Sequence, residues 1–340
     1  MVTVSSHTSD GAVAVTPHHE ATAAALRIMK AGGSAADAVV AANAVLGMVL
    51  PTTCGIGGDL FAIVHAPGMS QPDVLNASGR GGSGIDSAAM RAAGHAEIPL
   101  YAPESVTVPG AVDGWETLLA RHGRMPLSDL LRDAIALGHE GFEASLELSE
   151  GLTRLHNALG EQPSARALYP NDGPPSPGHT LRRPDLAGSL EAIASDGRAA
   201  LYEGPIAAAI SAATGGILSP EDLASNRSDW VDAIGIEVFG VQGWTVPPNT
   251  QGYLTLGALW LVEQLDPPRD PSDPRFHHAV IEAYRSVAWE RDDVVADARF
   301  APWPPDRYLD PERLRARLGE IDPLRARDWP CRAPRATSSK

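Results

Sequence analysis

Few residues in this 340-residue chain have both the type and the setting for chemistry. Arg80 is the first. It stands in a glycine-rich run, Asn76-Ala77-Ser78-Gly79-Arg80-Gly81-Gly82, and a guanidinium can grip a carboxylate through two parallel hydrogen bonds. It is either a substrate contact or a solvated loop arginine. Glu221 and Asp222 form an acid pair after Ser219-Pro220. Paired acids can share general acid–base work, but at a helix start they more simply offset the dipole. Asn249 and Thr250 lie in the turn Pro247-Pro248-Asn249-Thr250-Gln251-Gly252, where an ordinary helix cap would account for them.

Metal ligation has two weak candidates. His18-His19 is followed one turn on by Thr22 and Ala23, which offer no ligand. His278 and Glu282 have the i, i+4 spacing that puts two ligands on one helix face, but no third is placed by the sequence. No metal is expected, and no cofactor. No serine occupies a G-x-S-x-G elbow, no cysteine–histidine arrangement stands out, and neither a Walker nor a dinucleotide-binding glycine pattern is expected. Taken alone, the chain has no convincing nucleophile.

Composition narrows the class. Hydrophobic residues at 44% and charged ones at 20% are globular values. A net charge of -15 argues against a general nucleic-acid surface, which needs clustered Lys and Arg. Cys54 and Cys331 are far apart and suggest neither a disulfide framework nor a zinc site. The start Met1 followed by VTVSSHTSD has no basic start and no apolar core of a secretory signal, so cytoplasmic residence is the expectation. No membrane span is expected either, since no apolar run reaches roughly 20 residues.

The elements that position these residues are readable by pattern. Gly32 and Gly33 end one helix, and Ser34 with Asp37 caps the next, Ala35 to Val49, which is apolar on all sides and so reads as buried. Pro51 stops it. The turn Cys54-Gly55-Ile56-Gly57-Gly58-Asp59 leads to Leu60–Val64, an interior strand by its run of apolar residues. Ala12–Val15 is a further strand candidate, and Val74–Ala77 pairs with Leu60–Val64 as a hairpin. The run from Asn76 to Gly82 then leaves as a flexible loop. Helices are expected over residues 17–30, 111–121, 126–137, 253–265, 276–296 and 311–318, with strands over Ile234–Phe239 and Trp244–Val246. Residues 325–340 read as a loose tail.

The order of these stretches resembles the large subunit of the γ-glutamyltranspeptidase family. The resemblance lies in GGSAADAVVAANAVLGMVLPTTCGIGGDLFAIVH, in PESVTVPGAVDGWETLLARHGRMPLSDLLRDAIALGHEGF, in GGILSPEDLA, in WTVPPNTQGYLTL and in AYRSVAWERDDVVADARF, covering nearly the whole chain. It implies an α+β fold, the four-layer αββα sandwich of N-terminal nucleophile hydrolases, shared between this chain and a small subunit cut from the same precursor. The nucleophile would be the small subunit's N-terminal threonine, whose own α-amine serves as base. Thr337, internal to this chain, has no such amine and is discounted. In the family an arginine at the strand exit holds the substrate's α-carboxylate. That arginine falls on Ser78 here, with Arg80 two residues further on. Either Arg80 reaches the same carboxylate from another backbone point, or the substrate is not a γ-glutamyl compound. The family turn matching Pro247–Gly252 lies near the active-site wall, which makes Asn249 and Gln251 candidate substrate contacts.

Three functions follow as alternatives. One is a hydrolase or acyltransferase working through an acyl-enzyme on a γ-glutamyl-like amide. A second is a diverged relative of specialised metabolism, a β-lactam side-chain acylase or a C–C bond hydrolase, in keeping with antibiotic biosynthesis. The third is an inactive relative that only binds.

Overall fold

Capping chemistry begins the first elements. His18 precedes α1 (His19–Lys30), its Nδ1 accepting the Glu20 amide at 3.3 Å. The inward positions Ala21, Ala24, Ala25 and Ile28 are all buried. Gly32 takes φ +94° to leave that helix. Ser34 and Asp37 then close a reciprocal capping box at the start of α2 (Ala35–Val49). Asp37 is fully buried and also accepts the Arg124 and Met125 amides, so its charge is met by backbone donors. At the other end Arg183 donates to the Gly47 and Met48 carbonyls at 2.6 and 3.0 Å, satisfying groups a helix C-terminus leaves open. Burial lowers the Arg183 pKa to about 10.

This computed structural model describes residues 8, 9, 11–160, 162–170 and 173–328. The chain divides into two units, one of Met1–Leu60 with Ala77–Ser228, the other of Phe61–Asn76 with Asp229–Lys340. After α2 come β1 (Leu60–Val64) and β2 (Asp73–Ala77), whose bodies belong to the second unit. The first unit then continues with the exposed α3 (Ser87–Ala92), α4 (Ala111–His122) and α5 (Leu127–Glu140). It continues with β3 (Phe142–Glu143), α6 (Leu146–Leu159), β4 (Thr180–Leu181) and α7 (Pro184–Asp196), and ends with α8 (Arg198–Tyr202), α9 (Gly204–Ala213) and α10 (Pro220–Ser225). Its core is α2 packed between α1 and α5, with Trp115 and Leu118 of α4 also buried.

In the second unit, β2 pairs antiparallel with β5 (Asp229–Val231), Leu75 opposite Trp230, and β1 lies at the edge of that three-stranded sheet. β6 (Ile234–Val238) and β7 (Val241–Thr245) form a hairpin whose turn residues Phe239 and Gly240 have φ +49° and +73°, the double positive φ that a tight two-residue turn requires. α11 (Gly252–Leu265) packs on α12 (Pro274–Ala288), followed by α13 (Arg291–Val294) and α14 (Pro311–Leu318). Tyr253, Leu261, Val287, Tyr308 and Leu314 lie in its core.

Three expectations change. Residues 12–15 form no strand and expose Val13 and Val15; among the described residues nothing pairs with them. β1 is an edge strand, not an interior one, with Phe61 and Ile63 40% and 48% exposed, because an apolar run does not say which of its faces this chain covers. The helix expected to run to Ala296 ends at Ala288, near where Glu290 turns inward to Arg313 and Arg317; a buried carboxylate needs such partners. Of the tail expected from residue 325, only 325–328 are described, and there the Arg327 amide donates to Glu282. Thr337 and Cys331 lie outside the described residues.

Candidate active site

In the first unit the glycine-rich turn Cys54–Asp59, the glycine-rich loop after β2 and the segment before α4 converge. The carbonyl of Gly58 accepts the amides of Gly110 and Ala111, both at 3.0 Å, so the start of α4 is closed by the Cys54–Asp59 turn rather than by a side chain. Asp59 accepts the Gly79 amide through Oδ1 at 3.4 Å. The Val108 amide donates to the Arg80 carbonyl at 2.9 Å, and Gly81 bridges Thr107. A Cβ on Gly79 would stand 1.6 Å from the Val108 oxygen, and one on Gly110 1.8 Å from the Ala77 oxygen. Neither position can carry a side chain without moving backbone. The loop expected to be flexible is therefore a packed crossing, its glycines spent on close approach rather than on freedom. Contrary to expectation, Gly79, Gly81 and Gly84 do have the spacing of a dinucleotide-binding loop, but the helix that follows, α3, is a short exposed one starting at Ser87.

Further along the same loop, Gly84 donates to the Ile217 carbonyl at 3.1 Å, and a Cβ on Gly82 would meet that oxygen at 2.0 Å. Asp222 forms a capping box with Ser219. It also accepts the amide and the hydroxyl of Ser83, at 2.9 and 2.8 Å. Burial pushes its carboxyl up, but the bonds from Ser83 and Ser219 win and hold it below the ordinary aspartate value. Ser78 is half-buried and Arg80 exposed.

The second unit holds the other candidates. Asn249 is half-buried and its Oδ1 accepts from Asn76 Nδ2 of β2 at 3.0 Å. Thr250 gives its hydroxyl to the Val246 carbonyl at 2.8 Å. The residue at the cap position of α11 is Gln251, exposed and making no side-chain cap bond. The helix-cap reading of Asn249 and Thr250 is thus replaced by a side-chain latch to β2 and a local turn bond. The structure groups Ser78 with Arg80 in one unit and Asn249 with Gln251 in the other.

The histidine pairs are engaged elsewhere. His18 caps α1, and the ring of His278 meets the Asp322 carbonyl at 2.8 Å. Glu282 is buried and takes Arg285 at 2.6 Å and the Arg327 amide at 3.2 Å. Among the described residues, no group of three or more His, Cys, Asp or Glu side chains is placed to hold a metal. No helix among them is long and apolar enough to cross a membrane. The residue that sequence reasoning passed over is Ser83: a serine among glycines carries no signal of its own, whereas Asp222 was visible in GGILSPEDLA but read chiefly as an acid offsetting a helix dipole.

The chain is 32% identical over 312 residues to a glutathione hydrolase-like proenzyme of Bacillus subtilis, covering 90% of this chain and 59% of that protein. It is 33% identical over 335 residues to the oxamate amidohydrolase proenzyme of Klebsiella pneumoniae, covering 96% and 63%. It therefore spans about three-fifths of the length of these relatives. Among solved structures, the cephalosporin acylase from Bacillus halodurans superposes with a TM-score of 0.83 at 31% identity, over 89% of this chain and 58% of that one. The fold is that of the N-terminal nucleophile hydrolases, as expected. Residues 21–339 match the family model described as gamma-glutamyltranspeptidase, and the chain belongs to that family.

Proposed function

We propose that this chain is the large subunit of a self-processed hydrolase or acyltransferase that cleaves an amide carrying a carboxylate. The nucleophile is an N-terminal threonine on a companion chain from the same precursor. It attacks the carbonyl while its own amine takes the proton, an acyl-enzyme forms, and water or an amine removes the acyl group. Arg80 holds the substrate carboxylate. The observation that carries this reading is the crossing at Gly79–Gly81, which pins the Arg80 backbone at 2.9 Å to Val108 while the side chain stays exposed. A guanidinium on a fixed base is the arrangement that bidentate carboxylate binding needs.

The companion is supported by apolar surface left open. Phe61 and Ile63 on β1 are exposed, as are Leu259, Val280, Ile281 and Tyr284 on α11 and α12. Apolar patches of that kind mark surfaces made to be covered, and the relatives continue well beyond the matched length.

A second reading, an acylase whose acyl group is not γ-glutamyl, is favoured by one observation: Arg80 lies two residues beyond the position, Ser78, where the family carries its arginine. The test is to express the complete precursor and assay a γ-glutamyl anilide beside a glutaryl anilide. Turnover of the first supports γ-glutamyl specificity, and turnover of only the second supports the acylase reading. Arg80→Ala is expected to raise KM for the preferred substrate about tenfold or more, the loss of one charge-assisted contact. An unchanged KM would remove Arg80 from the site.

A further inference from the structure

We propose that Asp222, acting through Ser83, is a positioning residue that sets where Arg80 is presented to the substrate's carboxylate. The proposal rests on the reading of Arg80 as the carboxylate contact. A capping box needs Asp222 to accept only the Ser219 amide, which it does at 2.9 Å. The same oxygen, Oδ2, also takes the Ser83 amide at 2.9 Å and the Ser83 hydroxyl at 2.8 Å. Capping does not explain these two bonds, because Ser83 is remote from α10 in sequence.

Their place in the loop explains them. Arg80 is tied by its carbonyl to Val108, and Gly84 by its amide to Ile217. Between these anchors Gly81 is bridged to Thr107 and the Gly82 carbonyl accepts the Ile85 amide at 3.2 Å, which leaves Ser83 as the residue fastened by a side chain. Asp222 supplies that hold through the Ser83 amide and hydroxyl. The tie is surface-exposed, and exposed polar contacts contribute little net stability. Its consequence is therefore geometric. A guanidinium displaced by a loosened backbone loses the alignment of its two donors, and an error of about 1 Å in a substrate-holding group can cost up to about a hundredfold in rate.

The test uses the processed full-length enzyme carrying Ser83→Ala or Asp222→Asn. Two readouts are taken: KM for glutaryl anilide against its uncharged carboxamide counterpart, and the rate of limited trypsin cleavage after Arg80. The expected result is a roughly tenfold rise in KM for the carboxylate substrate alone, with kcat nearly constant, together with faster cleavage at Arg80–Gly81. A merely structural role would shift both substrates together. If Ser83→Ala and Asp222→Asn leave both the trypsin rate and the ratio of the two KM values unchanged, the proposal is wrong. If Arg80→Ala itself leaves that ratio unchanged, the carboxylate reading fails instead, and the trypsin readout alone decides whether Asp222 holds the loop.

Discussion

The loop from Ser78 to Gly84 and the turn from Pro247 to Gly252 both carry candidate substrate residues, yet they are held by opposite means. The first is clamped backbone against backbone: Arg80 to Val108, Gly84 to Ile217, with glycines where any Cβ would collide. The second rests on a side-chain latch, Asn76 to Asn249, and on the Thr250 hydroxyl. A backbone clamp tolerates almost no substitution at its contact points, whereas a side-chain latch can be exchanged for another at modest cost. The first loop is thus suited to an invariant task such as gripping a carboxylate, and the second to a contact that differs between substrates.

The sharpest way to break this comparison is Gly79→Ala. With a Cβ 1.6 Å from the Val108 oxygen, the crossing must open, at an expected cost of about 3 kcal/mol or more. Thermal unfolding of the processed enzyme measures it, and a loss under about 1 kcal/mol would show that the clamp gives way easily. Next in size is the latch. Asn76→Ala and Asn249→Ala are each expected to cost about 1 kcal/mol, with a double-mutant coupling of similar size. A coupling near zero would mean that the two amides do not depend on each other.

The smallest effect separates the loops by pH. Because its bonds hold Asp222 below the ordinary aspartate value of 3.8, the folded state binds its proton less readily than the unfolded chain does. The stability this contributes is present above pH 3.8 and is lost as the pH falls further. The Tm difference between the parent and Asp222→Asn should therefore narrow on acidification. The difference between the parent and Asn249→Ala, whose bond to Asn76 joins two amides that do not titrate, should not follow this titration. A parallel change in both would remove the distinction.

Much of the fold was legible because it is written in local chemistry. Ser34 and Asp37 announced α2, and Ala21, Ala24, Ala25 and Ile28 spelled out the buried face of α1. Two helices rich in apolar side chains, α2 and α11, met different fates. In α2 nearly every side chain is buried, while α11 leaves Leu259 open beside Val280 and Ile281 of α12. Periodicity reports how apolar a helix is, not whether the neighbours that cover it lie in the same chain. β1 misled for the same reason.

What the sequence by itself determined is the identity of the caps, the ends of the helices and the family to which their order belongs, because each depends on residues within a few positions of one another. Only the tertiary structure decided what the glycines after β2 are for. Whether a glycine grants freedom or permits contact depends on what stands opposite it, and Val108 and Ile217 are far away in the chain. The same holds for Asp222, whose second partner, Ser83, lies on a distant loop that folding alone brings to it.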